Sequence, residues 1–232
     1  MKLIYICSPY HADTTEEMEQ NRQNAHKACG EAYRLGRLTG ESFVPITPIG
    51  NFSYLDECKP EERDQALRLG LSLLSRCDEL WVAGEKLTDG MRVEIRAAVR
   101  MEKPVLSMGM EQAKIQAVIA GMPPLLDHKC CYKNSNSRDY TGQLLVLKAS
   151  ALAPGAKEVE NQLWIALNGF GVSPTASGRA VFATCLYDGE KTRWDRADFY
   201  GIANPNRIPN WAKEKLTELQ DQNNEELEEM EQ

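Results

Sequence analysis

The chain lacks a long apolar run. Its N-terminal stretch MKLIYICSPY is far too short for a signal peptide or a membrane span and predicts a first strand instead. It also lacks a basic surplus. The formal net charge is −7, and the 26% of charged residues are unevenly placed. Residues 212–232 hold two lysines and eight acidic residues, a net of −6, which leaves −1 on the rest. Nothing resembles the electrostatic footprint of a nucleic-acid binder. Metal-ligand spacing is missing as well: the seven cysteines (7, 29, 58, 77, 130, 131 and 185) form no CxxC pair, and the adjacent Cys130-Cys131 is no structural-zinc spacing. His26 and His128 have no ligand partner at metal spacing and are expected to be structural. No internal repeat is visible. These absences predict a soluble, cytoplasmic protein with reduced thiols, no metal or other cofactor, and no membrane or nucleic-acid partner.

What is present is ordinary globular composition, 42% hydrophobic, in a length that allows one or two domains. The first part alternates strands and helices. Strands are expected at Lys2–Cys7, Ser42–Ile46, Glu79–Ala83 and Pro104–Ser107. Helices are expected at Thr15–Arg37, Glu61–Arg76, Gly90–Met101 and Glu111–Ala120, with a loop from Thr47 to about Pro60. In helix 1, Met18, Ala25, Ala28, Cys29, Ala32 and Leu35 share a face; in helix 2, Leu67, Leu71 and Leu74 do. Such alternation predicts an α/β fold, a flavodoxin-like parallel sheet flanked by helices.

The pattern changes after Met122-Pro123-Pro124. Residues 125–135 are expected as a linker, and the polar run 133–139 as linker or loop. Short β-like runs follow at Gln143–Lys148, Gln162–Leu167, Arg179–Tyr187 and Lys191–Trp194, the last two joined at Asp188-Gly189, a hairpin signal. These predict a small β-rich domain over 136–210, with Trp164, Phe170, Phe182, Trp194 and Phe199 available for its core. Arg193 and Arg196 beside Trp194 suggest an anion or partner patch. Residues 211–232 form an acidic helical or disordered tail. It is a solubilising element, or a partner-docking helix built on Leu216, Leu219 and Leu227 with Glu214, Glu218 and Glu225.

The segment Leu80–Ile95 carries the densest chemistry. An apolar strand breaks at Gly84, a polar loop follows, and a helix begins with Glu94 expected in its first turn. Ligands of open α/β sheets bind beyond the carboxyl ends of the strands, so a carboxylate there faces a pocket. The helix N-terminus would favour its charged form. Glu94 is either an ionised nucleophile or base, or an acidic residue that only stabilises its helix. Thr88 and Asp89 both suit the N-cap; capping is expected of Asp89, while Thr88 is left between cap and ligand contact. His11, on the loop after strand 1, contacts an anion or is simply solvated.

Five motifs in order carry a resemblance: Ile4-Tyr5-Ile6-Cys7-Ser8-Pro9-Tyr10, Asn21 with Ala25, Cys77-Asp78-Glu79-Leu80-Trp81-Val82, Thr88-x-Gly90-Met91-x-x-Glu94-Ile95, and Lys103-Pro104-Val105. Over its first 110 or so residues the chain resembles the nucleoside 2-deoxyribosyltransferase-like superfamily, in a branch found in phage and mobile-element proteins. The resemblance implies cleavage or transfer at an N-glycosidic bond of a nucleoside, nucleotide or nucleotide-derived metabolite. Glu94 would be the nucleophile and Tyr5 the hydroxyl that orients it, although a core tyrosine with a satisfied hydroxyl would look the same. Substrate contacts would come from Ser8, Tyr10, His11, Thr88, Gly90 and Met91, with Thr88 matching a phosphate-contacting Ser of some relatives. A homo-oligomer is implied too.

Two departures stand out. Gly70 occupies the position where active relatives carry an Asp that helps protonate the base, leaving Asp64, Asp56, Glu57 or His11 as substitutes. The Gly- and Arg-rich first loop of the nucleotide hydrolases is also absent. The alternative is therefore a catalytically inactive nucleotide-binding or sensing protein of a mobile element. The related phosphoribohydrolases are excluded, since no Pro-Gly-Gly-x-Gly-Thr segment is present. The C-terminal part resembles small β-rich segments of conjugative-element proteins, with no activity implied.

Overall fold

Strand β1, Lys2–Cys7, is apolar on both faces because both are covered. Ile4 and Ile6 pack toward one layer, Tyr5 and Cys7 toward the other. The computed structural model describes all residues except 13, 53, 56–58, 170–179 and 220–232. It divides into two units, Met1–Met122 and Pro123–Gln232.

In the first unit, β1, β2 (Phe43–Ile46), β3 (Glu79–Ala83) and β4 (Val105–Met108) form a parallel sheet in the order β2-β1-β3-β4. Helix α1, Thr15–Thr39, lies on one face. Thr14 caps it by accepting from the Glu17 N–H at 3.2 Å, and its buried stripe is small: Ala25, Ala28, Ala32 and Gly36. Leu35, expected on that stripe, points outward and is 45% exposed. Helices α3 (Pro60–Ser75), α4 (Asp89–Arg100) and α5 (Gln112–Ala120) cover the other face, with Leu74, Ile95 and Ile115 fully buried against Tyr5, Leu80 and Val82. The chain thus changes sides of the sheet between β1 and β3, and a crevice opens beyond their carboxyl ends. This is the flavodoxin-like α/β architecture. The expected loop after β2 contains a helical turn, α2 (Pro48–Asn51), begun by a proline at its first position.

The second unit holds an antiparallel sheet in the order β8-β7-β6-β5-β9, from β5 (Leu144–Leu147), β6 (Leu163–Ala166), β7 (Ala180–Cys185), β8 (Lys191–Asp195) and β9 (Phe199–Ile202). Asp188-Gly189 lies in the turn between β7 and β8, and Gly189 has φ +77°. Strand β9 escapes a sequence reading because Gly201 interrupts it. A Cβ there would lie 2.3 Å from Ser135 Oγ, which instead accepts from the Ile202 N–H. Trp164 meets Trp194 edge-on at 5.1 Å, and Tyr140 meets Phe199 at 6.2 Å.

Several expectations for this unit change. Phe182 is half exposed because the alternation of β7 gives the core Val181, Ala183 and Cys185. Phe170 lies outside the described residues. The stretch expected as a linker contributes Leu126 and Cys131 to a core. Arg196 is no surface patch: it is 5% exposed, stacks on Tyr140, and donates to the carbonyls of Gly169, Asn136 and Arg138. Residues 210–219 form helix α6, whose Leu216 and Leu219 pack on this unit's own core rather than awaiting a partner. Glu225 and Leu227 lie outside the described residues.

Candidate active site

Tyr5 sits midway along β1, paired between Ile46 and Leu80, and its ring is fully buried. Its hydroxyl donates to Glu94 Oε1 at 2.6 Å. The Cys7 thiol, two residues on along the same strand face, lies against the same carboxylate. Glu94 is 8% exposed, with its carboxylate on a cavity of about 460 Å³. The volume is in the range of small-molecule sites, and the position is the crevice where an open α/β sheet binds ligands.

Glu94 departs from expectation in one respect. Helix α4 starts at Asp89, which makes Glu94 its sixth residue, in the second turn. The helix dipole falls off within the first turn, so burial decides the charge. Burial raises the Glu94 carboxyl above its ordinary 4.5, against the lowering effect of the Tyr5 hydroxyl and the Cys7 thiol. Tyr5 is pushed well above its ordinary 10.0, by burial first and by the Glu94 charge second. At neutral pH the phenol therefore stays a donor. The pair is a buried carboxylate with a permanent hydrogen-bond donor, suited to attack on an electron-poor carbon.

The remaining expected residues fall around the same space. Ser8, Tyr10, His11, Thr88, Gly90 and Met91 all line the cavity. The Tyr10 carbonyl accepts from Asn21 Nδ2 at 3.0 Å, which ties the loop after β1 to α1. Thr88, not Asp89, is the N-cap of α4: its Oγ1 accepts from the Met91 N–H at 3.4 Å. Asp89 is exposed and pairs with Arg92 at 3.7 Å. Of the substitutes for a proton donor, Asp64 and His11 line the cavity, while Asp56 and Glu57 lie outside the described residues.

Gly70 of α3 is buried against the Tyr5–Glu94 pair. A Cβ there would stand 3.0 Å from the Tyr5 hydroxyl and 3.7 Å from Glu94 Oε1. Any side chain would push on the pair, so the position directly over the carboxylate carries none.

The amino-terminal unit has a family. Residues 2–118 match the model of the family described as Domain of unknown function (DUF7768). The chain belongs to it. The match contains Tyr5, Gly70 and Glu94 and stops short of the second unit. Among solved structures, a 2-deoxyribosyltransferase from the psychrotolerant bacterium Bacillus psychrosaccharolyticus is 20% identical. The alignment covers 45% of this chain and 70% of that one, with a TM-score of 0.31, too low to carry an argument. No curated protein matches.

Sequence reasoning missed part of this wall. Pro48, Ile49 and Phe52 come from the helical turn after β2, and Arg63 from the first turn of α3. The Thr47-Pro48 pair was a usable signal, since a proline after Thr commonly opens a helical turn.

Proposed function

We propose that the first unit cleaves or transfers at the N-glycosidic bond of a nucleoside, nucleotide or nucleotide-derived metabolite, with Glu94 as nucleophile. The single observation that supports this is the buried Glu94 carboxylate, oriented by the Tyr5 hydroxyl at 2.6 Å and open to a cavity. The anomeric carbon of a bound sugar accepts the carboxylate oxygen as its bond to the base breaks, and the base leaves with the electron pair. The glycosyl ester is then captured by water or by a second base. A fixed carboxylate suits the oxocarbenium-like character of that transition state. The apolar wall of Ile49, Phe52 and Leu67 suits a planar base, and Ser8 and Thr88 suit the polar end of the sugar. A homo-oligomer accompanies this reading.

The second reading, an inactive nucleotide-binding protein, is favoured by one observation, the bare Gly70 above the carboxylate. Product analysis by mass spectrometry separates the two. Wild type and Glu94→Gln are incubated with nucleosides, nucleoside monophosphates and dinucleotides, with and without an acceptor base. Release of free base by wild type, reduced about a thousandfold or more in the variant, is the expected result. Binding without turnover by either protein selects the second reading.

A further inference from the structure

A second cavity, of about 850 Å³, opens on the α1 side of the same crevice. It shares Ser8, His11 and Thr88 with the first, so the two spaces meet along one short rim. Beyond the rim its walls are the amides Gln20, Asn21 and Asn24 of α1 and the turn after β3 at Gly84. Ser8 Oγ and His11 Nδ1 are buried atoms on this rim with no hydrogen-bond partner among the described residues. Buried polar atoms are costly without partners, so a polar ligand group at the rim would relieve that cost once either side chain turns toward it. A single nucleoside fits the first cavity alone. Two adjoining spaces joined at unpartnered donors and acceptors fit a ligand with two bulky ends and a polar link between them.

The charges narrow the ligand further. The second cavity has Lys27 and Lys86 against Glu17, Glu31 and Glu85, an acidic surplus that disfavours a string of terminal phosphates there. The distal end is therefore uncharged and polar, as a second nucleoside is, with its phosphates at the rim near the start of α4.

The leaving group is narrowed by α3. Gly70 puts no acid over Glu94, and Asp64 begins six residues earlier, about 9 Å along the helix axis. Among the described residues, a base that must be protonated to leave has Asp64 and His11 on the cavity wall but no acid against Glu94 itself. A base bonded through a cationic ring nitrogen needs no proton, because the bonding electrons neutralise it as it departs.

Resting on the glycosidic reading above, we infer that the substrate is a dinucleotide with a pyridinium N-glycosidic bond, its reacting half over Glu94 and its second nucleoside in the α1-side cavity. The Glu94 oxygen bonds to C1′ of the pyridinium ribose while the C1′–N bond breaks. The electron pair goes to the ring nitrogen, and the pyridine leaves neutral. Water then displaces the carboxylate from C1′, releasing one proton and the ribosyl product. The cationic nitrogen also offsets the cost that burial places on the Glu94 charge, which Tyr5 and Cys7 relieve in part.

The test compares NAD with nicotinamide mononucleotide, which has the same bond and no second nucleoside, and with inosine and deoxyuridine. Wild type is expected to release nicotinamide from NAD with kcat/KM at least about tenfold above that for the mononucleotide. Asn24→Trp, at an exposed α1 position on the second cavity, is expected to bring the two substrates within about threefold by raising KM for NAD. A thermal transition like that of wild type, read by circular dichroism, reports that the variant folds. Equal wild-type rates on NAD and the mononucleotide would overturn the role of the second cavity. Release of hypoxanthine or uracil without nicotinamide would overturn the pyridinium assignment and leave Glu94 chemistry standing. Silence on every substrate removes both.

Discussion

A carboxylate only 8% exposed ionises less readily than one in water, and this shapes how Glu94 responds to pH. Attack at an anomeric carbon needs the ionised form, so the acid limb of kcat/KM should lie above the ordinary 4.5. The Tyr5 hydroxyl lowers the carboxyl, so Tyr5→Phe should move that limb further up while kcat falls by about 10- to 100-fold. A pH profile of both proteins reads this directly; an unmoved limb would show that Tyr5 only fills space. Stability follows the same group. The folded chain holds the Glu94 proton more tightly than the unfolded chain does, so its contribution is full below 4.5 and is lost as pH rises through the raised value. Denaturant midpoints across that window should decline more steeply for wild type than for Glu94→Gln. Of this residue, the sequence makes legible the chemical type and the position beyond a strand end. The charge balance was not legible, because the sequence places Glu94 near a helix start but does not show how much water the folded site excludes.

At the scale of elements, the N-terminus of α4 distinguishes two neighbouring residues that look equivalent in the sequence. Thr88 has the extended backbone of a cap and accepts from Met91, whereas Asp89 is helical and exposed. Thr88→Ala should cost about 1 kcal/mol, at the lower end because the 3.4 Å bond is long. Asp89→Ala should stay within about 0.5 kcal/mol, as expected for an exposed pair with Arg92. Thermal denaturation of both variants checks the assignment, and the reverse order would return the cap to Asp89. The strands β1 to β4 were legible within a residue or so of their ends, since apolar runs between glycines and prolines leave few alternatives. Strand β9 and the turn α2 were not. One contains a glycine that makes room for Ser135, and the other is a single turn whose wall-forming role depends on where α3 runs.

At the scale of the whole molecule, each unit has its own apolar clusters. The first is centred on Tyr5, Leu80 and Ile95 with Ile4 and Ile6 behind them, the second on Leu145, Trp164 and Val181 with Leu163 and Val146 behind them. The first unit has apolar clusters of its own, so the fragment 1–122 should fold by itself, with a cooperative thermal transition and Glu94-dependent turnover. Circular dichroism and the product assay on that fragment test this, and a fragment without a transition would overturn it. The alternation of short apolar runs with amphipathic stretches determined by itself that the first unit is a parallel α/β sheet, because burial on both faces admits few other arrangements. Residue type and position singled out Glu94 as a candidate, and the family resemblance singled out Tyr5. Only the tertiary structure decided that a residue of α3 would be a bare glycine against their hydrogen bond, that Arg196 would be buried, and that two cavities would share one rim. Those facts depend on distances between segments far apart in the chain, which no local pattern encodes.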